Sequence, residues 1–153
     1  MSSNRTPAGD AFATFAISVL RLAGHLQTAG DALAKPAGQT SARWQVLAAA
    51  DHTPMSVADA GRALGMTRQG VQRVADLLEK DGLLVYAENP AHQRAKLMVL
   101  TQEGRAALEA IKSRQAAWAD ALGEALGKKQ VAEATQTIMA ALQAVEKQSV
   151  PEA

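Results

Sequence analysis

The sequence contains no cysteine, which excludes disulfides, thiolate metal sites and thiol-based redox sensing. Aromatic residues make up only 3 % of its 153 residues, so a core has to be assembled from alanine, leucine and valine. No apolar run approaches the roughly 20 residues that a membrane-spanning helix needs. Residues 1–10 hold one basic side chain and no apolar stretch, which is not the pattern of a secretory signal. A cytoplasmic protein with no membrane partner is therefore expected. Neither sign of charge is in excess. Sixteen basic side chains against 15 acidic ones give a net charge of +1, which neither demands nor excludes nucleic acid. Only the distribution of charge can decide. His25, His52 and His92 lack the spacing that metal ligands show. No G-x-S-x-G, phosphate-cradling glycine loop or pair of catalytic carboxylates occurs. No metal, cofactor or enzymatic activity is expected.

What remains is helix-rich. Hydrophobic residues reach 48 % and charged residues 20 %, a globular balance dominated by alanine, the best helix former. Phe12, Phe15, Ala16, Val19, Leu22, Ala23 and Leu26 follow one helical face, predicting a first helix over 10–34. Lys35-Pro36-Ala37-Gly38 ends it, and a second helix follows Thr40 or Ser41. Ser56-Val57-Ala58-Asp59 reads as a capping box opening a short helix that stops near Gly65. Thr67 caps the next, which runs to about Lys80 and is stopped by Asp81-Gly82. Two short apolar runs, 83–86 and 97–100, flank the polar turn 88–94, predicting a two-stranded hairpin. Helix then returns to the end, with Gly123 and Gly127 bracketing a break. A helix over 102–125 would be about 36 Å long, too long for one subunit to cover, so the terminal helices are expected to dimerise.

A short helix, a tight turn, a second helix and a hairpin form a winged helix-turn-helix. The fold expected is mainly α with a small β-hairpin wing, and dimerisation helices at both termini. Residues 37–100 form the winged helix-turn-helix, and 1–36 with 101–153 the helical dimerisation region, in one compact domain. In such a motif the second helix lies in the major groove. Opposite its apolar Val71/Val74/Leu78 stripe stand Gln69, Gln72, Arg73 and Asp76, with Arg68 at the edge. Glutamine can bond adenine through two contacts and arginine can do the same for guanine, while Thr67 can reach a phosphate. Asp76 would repel phosphate, so it is read as solvated or ion-paired.

Three stretches carry a resemblance: Leu78-Glu79-Lys80-Asp81-Gly82-Leu83-Leu84, Asn89-Pro90 with Arg94-Ala95-Lys96, and Leu100-Thr101-Gln102-Glu103-Gly104-Arg105. With these the chain resembles the MarR (multiple-antibiotic-resistance regulator) family of winged helix-turn-helix transcriptional regulators over most of its length. The resemblance implies a triangular homodimer on a pseudo-palindromic double-stranded operator, acting as a repressor that a small aromatic or anionic effector releases. It aligns Arg94 with an arginine that enters the minor groove. His92 stands where the family usually has an acid, and a histidine there can become cationic at mildly acid pH. The DNA-binding candidates are thus Ser56, Thr67, Arg68, Gln69, Gln72, Arg73, His92, Arg94 and Lys96. The region of Arg21, His25, Arg43 and Trp44 borders the family's effector pocket, which makes these four the effector candidates.

Plainer readings stand beside these. Arg94 and Lys96 could only solubilise a strand edge, Gln69, Gln72 and Arg73 could be a solvated helix face, and Trp44 could be core. The alternative function is a winged-helix module that binds protein and not DNA. A basic face shared by Arg68, Arg73, Arg94 and Lys96 would discriminate in favour of DNA.

Overall fold

A computed structural model describes residues 5–148. The chain falls into two compact units, 1–112 and 113–153. The first unit begins with helix α1 (Pro7–Ala34), capped by Thr6, whose hydroxyl accepts from Gly9 N. Pro7 at the first helical position suits the helix, having no amide hydrogen to leave unsatisfied. The helix therefore starts three residues ahead of the start predicted at position 10. A 3-10 turn (Lys35–Ala37) and Gly38, at φ 71°, reverse the chain into α2 (Ser41–His52). This corner is tight. A Cβ at Gly30 would stand 2.5 Å from Ser41 Oγ, and Asp31 Oδ1 accepts from Ser41 N at 2.7 Å.

Strand β1 (Met55–Ser56) leads directly into α3 (Val57–Leu64), and Gly65-Met66-Thr67 turns the chain into α4 (Arg68–Lys80). Strands β2 (Leu84–Ala87) and β3 (Leu97–Leu100) follow, then α5 (Gln102–Leu126). The sheet has three antiparallel strands in the order β1-β3-β2, with Met55 opposite Met98 and Leu84 opposite Leu100. The sequence predicted two strands. Met55–Ser56 was missed because a two-residue strand has no periodicity to read. Its pairing with β3 ties the start of α3 to the wing, the loop-tipped hairpin of β2 and β3.

The core of this unit joins α2 (Val46, Leu47), α4 (Val71, Ala75, Leu78), the sheet (Leu84, Met98) and Leu108 of α5. The 101–105 stretch locks the wing to α5. Thr101 Oγ1 donates to Gly82 O at 2.7 Å and accepts from Gly104 N at 3.1 Å. Gly104 lies against the Leu83 carbonyl so closely that no Cβ fits between them.

The second unit contains the end of α5 and α6 (Lys128–Lys147), separated by Gly127 at φ 86°. The helix runs unbroken through Gly123 and stops only at Gly127, where the left-handed backbone requires glycine. No residue of α6 is buried, and Val131, Met139, Leu142 and Val145 are exposed. Among the described residues no helix is long and apolar enough to cross a membrane, and no group of three acidic or histidine side chains could hold a metal ion.

Candidate nucleic-acid interface

The interface is built where α3, α4 and the wing converge. Ser56 caps α3: its Oγ accepts from Asp59 N at 3.1 Å and donates to Asp59 Oδ2 at 2.7 Å. The Ser56 hydroxyl, with the neighbouring Arg62 guanidinium, holds the Asp59 carboxyl below its ordinary value. This is the predicted capping box. It has a consequence for the site, because Ser56 is buried and its single proton is already given to Asp59. Ser56 thus positions α3, and its hydroxyl has no hydrogen left to offer a phosphate.

Thr67 caps α4, accepting from Gly70 N at 3.0 Å, and its own proton remains free to donate. Arg68, Gln69 and Arg73 are exposed on the outer face of α4, while Val71, Ala75 and Leu78 are buried on the inner face. Gln72 is half-buried. Its Nε2 donates to Asp76 Oδ1 at 2.8 Å and to Tyr86 Oη at 2.9 Å, and the Tyr86 hydroxyl donates to Asp76 Oδ1 at 2.8 Å. Burial, then the Asp76 carboxylate, push the phenol well above its ordinary value, so it stays protonated and donating. Asp76 is thus exposed to solvent, as read from the sequence, and not ion-paired among the described residues, with its carboxylate engaged in this network. Sequence reasoning assigns Tyr86 no role; an acid on a helix face that should meet phosphate is the signal that a donor must lie nearby.

The wing loop is organised by Asn89. Its Nδ2 donates to Ala95 O at 2.9 Å, its Oδ1 accepts from Ala91 N at 3.0 Å, and its backbone carbonyl accepts from His92 N at 3.1 Å. These bonds close the loop over 89–95 and leave His92, Arg94 and Lys96 exposed. Between wing and helices lies a hollow of about 230 Å³ lined by Ser56, Val57, Ala58, Arg68, Gln72, Tyr86, Arg94, Ala95 and Lys96. Along the outer face of α4 a second, shallow hollow is lined by Gln69, Gln72, Arg73, Asp76, Leu77 and Lys80. Gln72 borders both, so the two form one surface. Thr67 and His92 line neither hollow.

The four effector candidates are not brought together. Trp44 lines an open, largely apolar groove of about 640 Å³ between α1 and α2, with Leu26, Gly30 and Leu64 among its walls. Arg21 and His25 are exposed on α1 and lie outside that lining. Arg43 is ion-paired with Asp81 at 2.7 Å and donates to Gln39 Oε1 at 3.4 Å, which joins the start of α2 to the end of α4.

A helix-turn-helix followed by a basic-tipped hairpin, with its second helix presenting a polar outer face, defines a winged-helix protein of the DNA-reading kind. The profile of the MarR family matches residues 37–95. Uncharacterised proteins of Mycobacterium bovis and Mycobacterium tuberculosis are 44 % identical to this chain over 105 residues, 69 % of its length and 73 % of theirs. Among solved structures, the transcriptional repressor CouR bound to a 23-mer DNA duplex is 25 % identical with a TM-score of 0.71, covering 92 % of this chain and 99 % of that one. CouR from Rhodococcus jostii RHA1 bound to p-coumaroyl-CoA has a TM-score of 0.74 at 23 % identity, covering 90 % and 95 %. The chain belongs to the MarR family of transcriptional regulators.

Proposed function

We propose that this chain is a homodimeric, sequence-specific DNA-binding repressor that works in the cytoplasm, beside the DNA it reads. In this reading α4 enters the major groove of a pseudo-palindromic operator and the wing reaches the adjacent minor groove. Arg68, Gln69, Gln72 and Arg73 read bases or hold phosphates, with Thr67 at the helix start and His92, Arg94 and Lys96 on the wing. The observation that carries it is the basic surface. Arg68, Arg94 and Lys96 share one hollow, Arg73 borders the adjoining one, and none of the four is ion-paired among the described residues. Sequence-independent affinity grows with each phosphate that such cations neutralise.

Dimerisation is supported by apolar surface that this chain leaves uncovered. On α1, Phe12, Ile17, Leu22 and Leu26 are exposed and Leu20 is 72 % exposed; on α6 no residue is buried. Exposed apolar faces of this kind mark association sites. The repressor sign is carried over from CouR, a transcriptional repressor. An effector, small and aromatic or anionic, is assigned to the α1–α2 groove with Trp44 on its wall. Its binding shifts the protein towards a conformation whose recognition helices no longer fit DNA. Arg21, His25 and Arg43 would take part only by rearranging, since Arg43 is held by Asp81.

Selection from a random duplex pool at several salt concentrations tests the reading. The expected result is a two-fold symmetric site with half-sites about 34 Å apart, bound with a steep salt slope. Weak binding with no enriched sequence would refute it and favour a module that binds protein.

A further inference from the structure

The recognition helix carries an acid where DNA reading does not require one. Asp76 is on the outer face of α4 and is not ion-paired among the described residues. Its Oδ1 instead accepts from both Gln72 and Tyr86, at 2.8 Å each. Chemistry fixes the direction of every bond in this triangle. A carboxylate only accepts, so Gln72 must turn its NH2 group, and not its carbonyl, towards Asp76. The phenol proton goes to Asp76, so Tyr86 can offer Gln72 only a lone pair, which Nε2 meets at 2.9 Å.

A glutamine amide has two N–H donors and one carbonyl acceptor. Two acceptors are seated on Nε2, and Oε1 accepts from none of the described residues. We propose that Gln72 reads DNA through Oε1 alone, as an acceptor that selects the exocyclic amino group of adenine or cytosine on the strand it faces. Asp76 and Tyr86 are positioning residues that withhold its amide from adenine N7. This rests on α4 lying in the major groove, as proposed above. An unrestrained glutamine bonds adenine twice, donating to N7 and accepting from N6. Here the first contact is removed, and adenine loses its advantage over cytosine. Guanine and thymine present O6 and O4 at the corresponding places, and two acceptors facing each other repel.

The test is selection of the full-length protein and of Gln72→Ala from the same random duplex pool. The column whose preference collapses in the variant is the one Gln72 reads. In the wild-type protein that column should take adenine and cytosine within about twofold of each other, with guanine and thymine disfavoured about tenfold. Asp76→Ala combined with Tyr86→Phe frees the amide and should narrow the column to adenine. A purely structural role would lower affinity for every sequence without narrowing that column. Duplexes carrying 7-deazaadenine there lack the N7 acceptor. They should bind the wild-type protein within about twofold of adenine and the double variant about tenfold more weakly.

An adenine-only column in the wild-type protein overturns the proposal, as does a clear loss on 7-deazaadenine or a Gln72→Ala profile identical to wild type. All three leave the DNA-reading role standing. The 7-deazaadenine comparison on the wild-type protein needs no variant to fold beyond Gln72→Ala. Absence of any enriched sequence would instead overturn the DNA-reading role itself, and this inference with it.

Discussion

Gly61→Ala probes the join between fold and recognition. A Cβ at Gly61 would lie 2.9 Å from the Met66 carbonyl oxygen, 3.6 Å from Arg68 N and 3.7 Å from the Thr67 carbonyl carbon. These are backbone atoms of the helix-turn-helix turn, and the turn is held in place by Met66 N donating to Gly61 O at 2.9 Å. It cannot swing away without stretching that bond. Against the overlap stands helix propensity, since alanine gains about 0.5–1 kcal/mol over glycine inside a helix. Overpacking against a rigid neighbour costs about 1–3 kcal/mol. Because the neighbour at 2.9 Å is a backbone oxygen, the cost falls in the upper part of that range, about 2–3 kcal/mol, and the net loss is about 1–2.5 kcal/mol, equivalent to a fall in Tm of roughly 2–10 °C for a chain of this length. Displacing 66–68 also moves the start of α4, so DNA affinity should fall at temperatures where the variant is still folded. Gly24→Ala is the internal control. Nothing of its own chain lies within 4 Å of a Cβ there, in the middle of α1, so within the subunit only the propensity gain remains and Tm should rise by roughly 1–4 °C. Thermal scans of the three proteins decide it. A Gly61→Ala protein as stable as wild type would refute the claim that the turn cannot yield.

Arg94→Ala should weaken binding to all duplexes and reduce the steepness of the log–log salt dependence by about 1.8, one phosphate for each of two wings; an unchanged slope in a titration by fluorescence anisotropy would remove the wing from the interface. Arg73→Ala should relax preference at one or two base pairs by about 1–3 kcal/mol if its contact is bidentate to guanine, whereas equal loss on every sequence would assign it to a phosphate. The Asp59 carboxyl is held below its ordinary value first by the Ser56 hydroxyl and then by Arg62. Its stabilising effect is therefore complete above the unfolded value of about 3.9 and is lost as pH falls through the lowered one. Asp59→Asn should lower Tm near neutrality and bring the two melting curves together in acid. A constant gap from about pH 6 to about pH 3 would contradict that.

The parts that could be read in the sequence were those in which one residue type answers one local demand. Ser56 and Asp59 as a capping box, Thr67 as a cap, and Gly65 and Gly82 in the left-handed region are set by a few neighbouring dihedrals and hydrogen bonds. The Val71/Ala75/Leu78 stripe is likewise a matter of period alone. What escaped was long-range. The two residues of β1 become a strand only because β3, some forty positions later, offers an edge to pair with. The Arg43–Asp81 bridge joins residues 38 apart, and without it Arg43 reads as a cation available to a ligand. Gln72 looked like a free adenine reader because its restraint comes from Tyr86, on the second strand of the sheet.

The near-neutral charge, which the sequence left undecided, follows a pattern in space. Several acids near the recognition region are engaged within the protein. Asp81 is paired with Arg43, Asp59 is held by Ser56 and Arg62, Asp51 is met by Lys112, and Asp76 accepts from Gln72 and Tyr86. Arg68, Arg73, Arg94 and Lys96 have no such partner among the described residues. A field is set by local imbalance and falls off within about 8 Å at physiological salt. Acids farther than that from the wing therefore do little to weaken it there, whatever they subtract from the net charge. The same distribution gives a weak long-range pull on DNA and a strong short-range hold. Binding should then be governed mainly by how well a sequence fits once the surfaces touch, and this suits a surface on which a glutamine is held in one orientation before any base arrives.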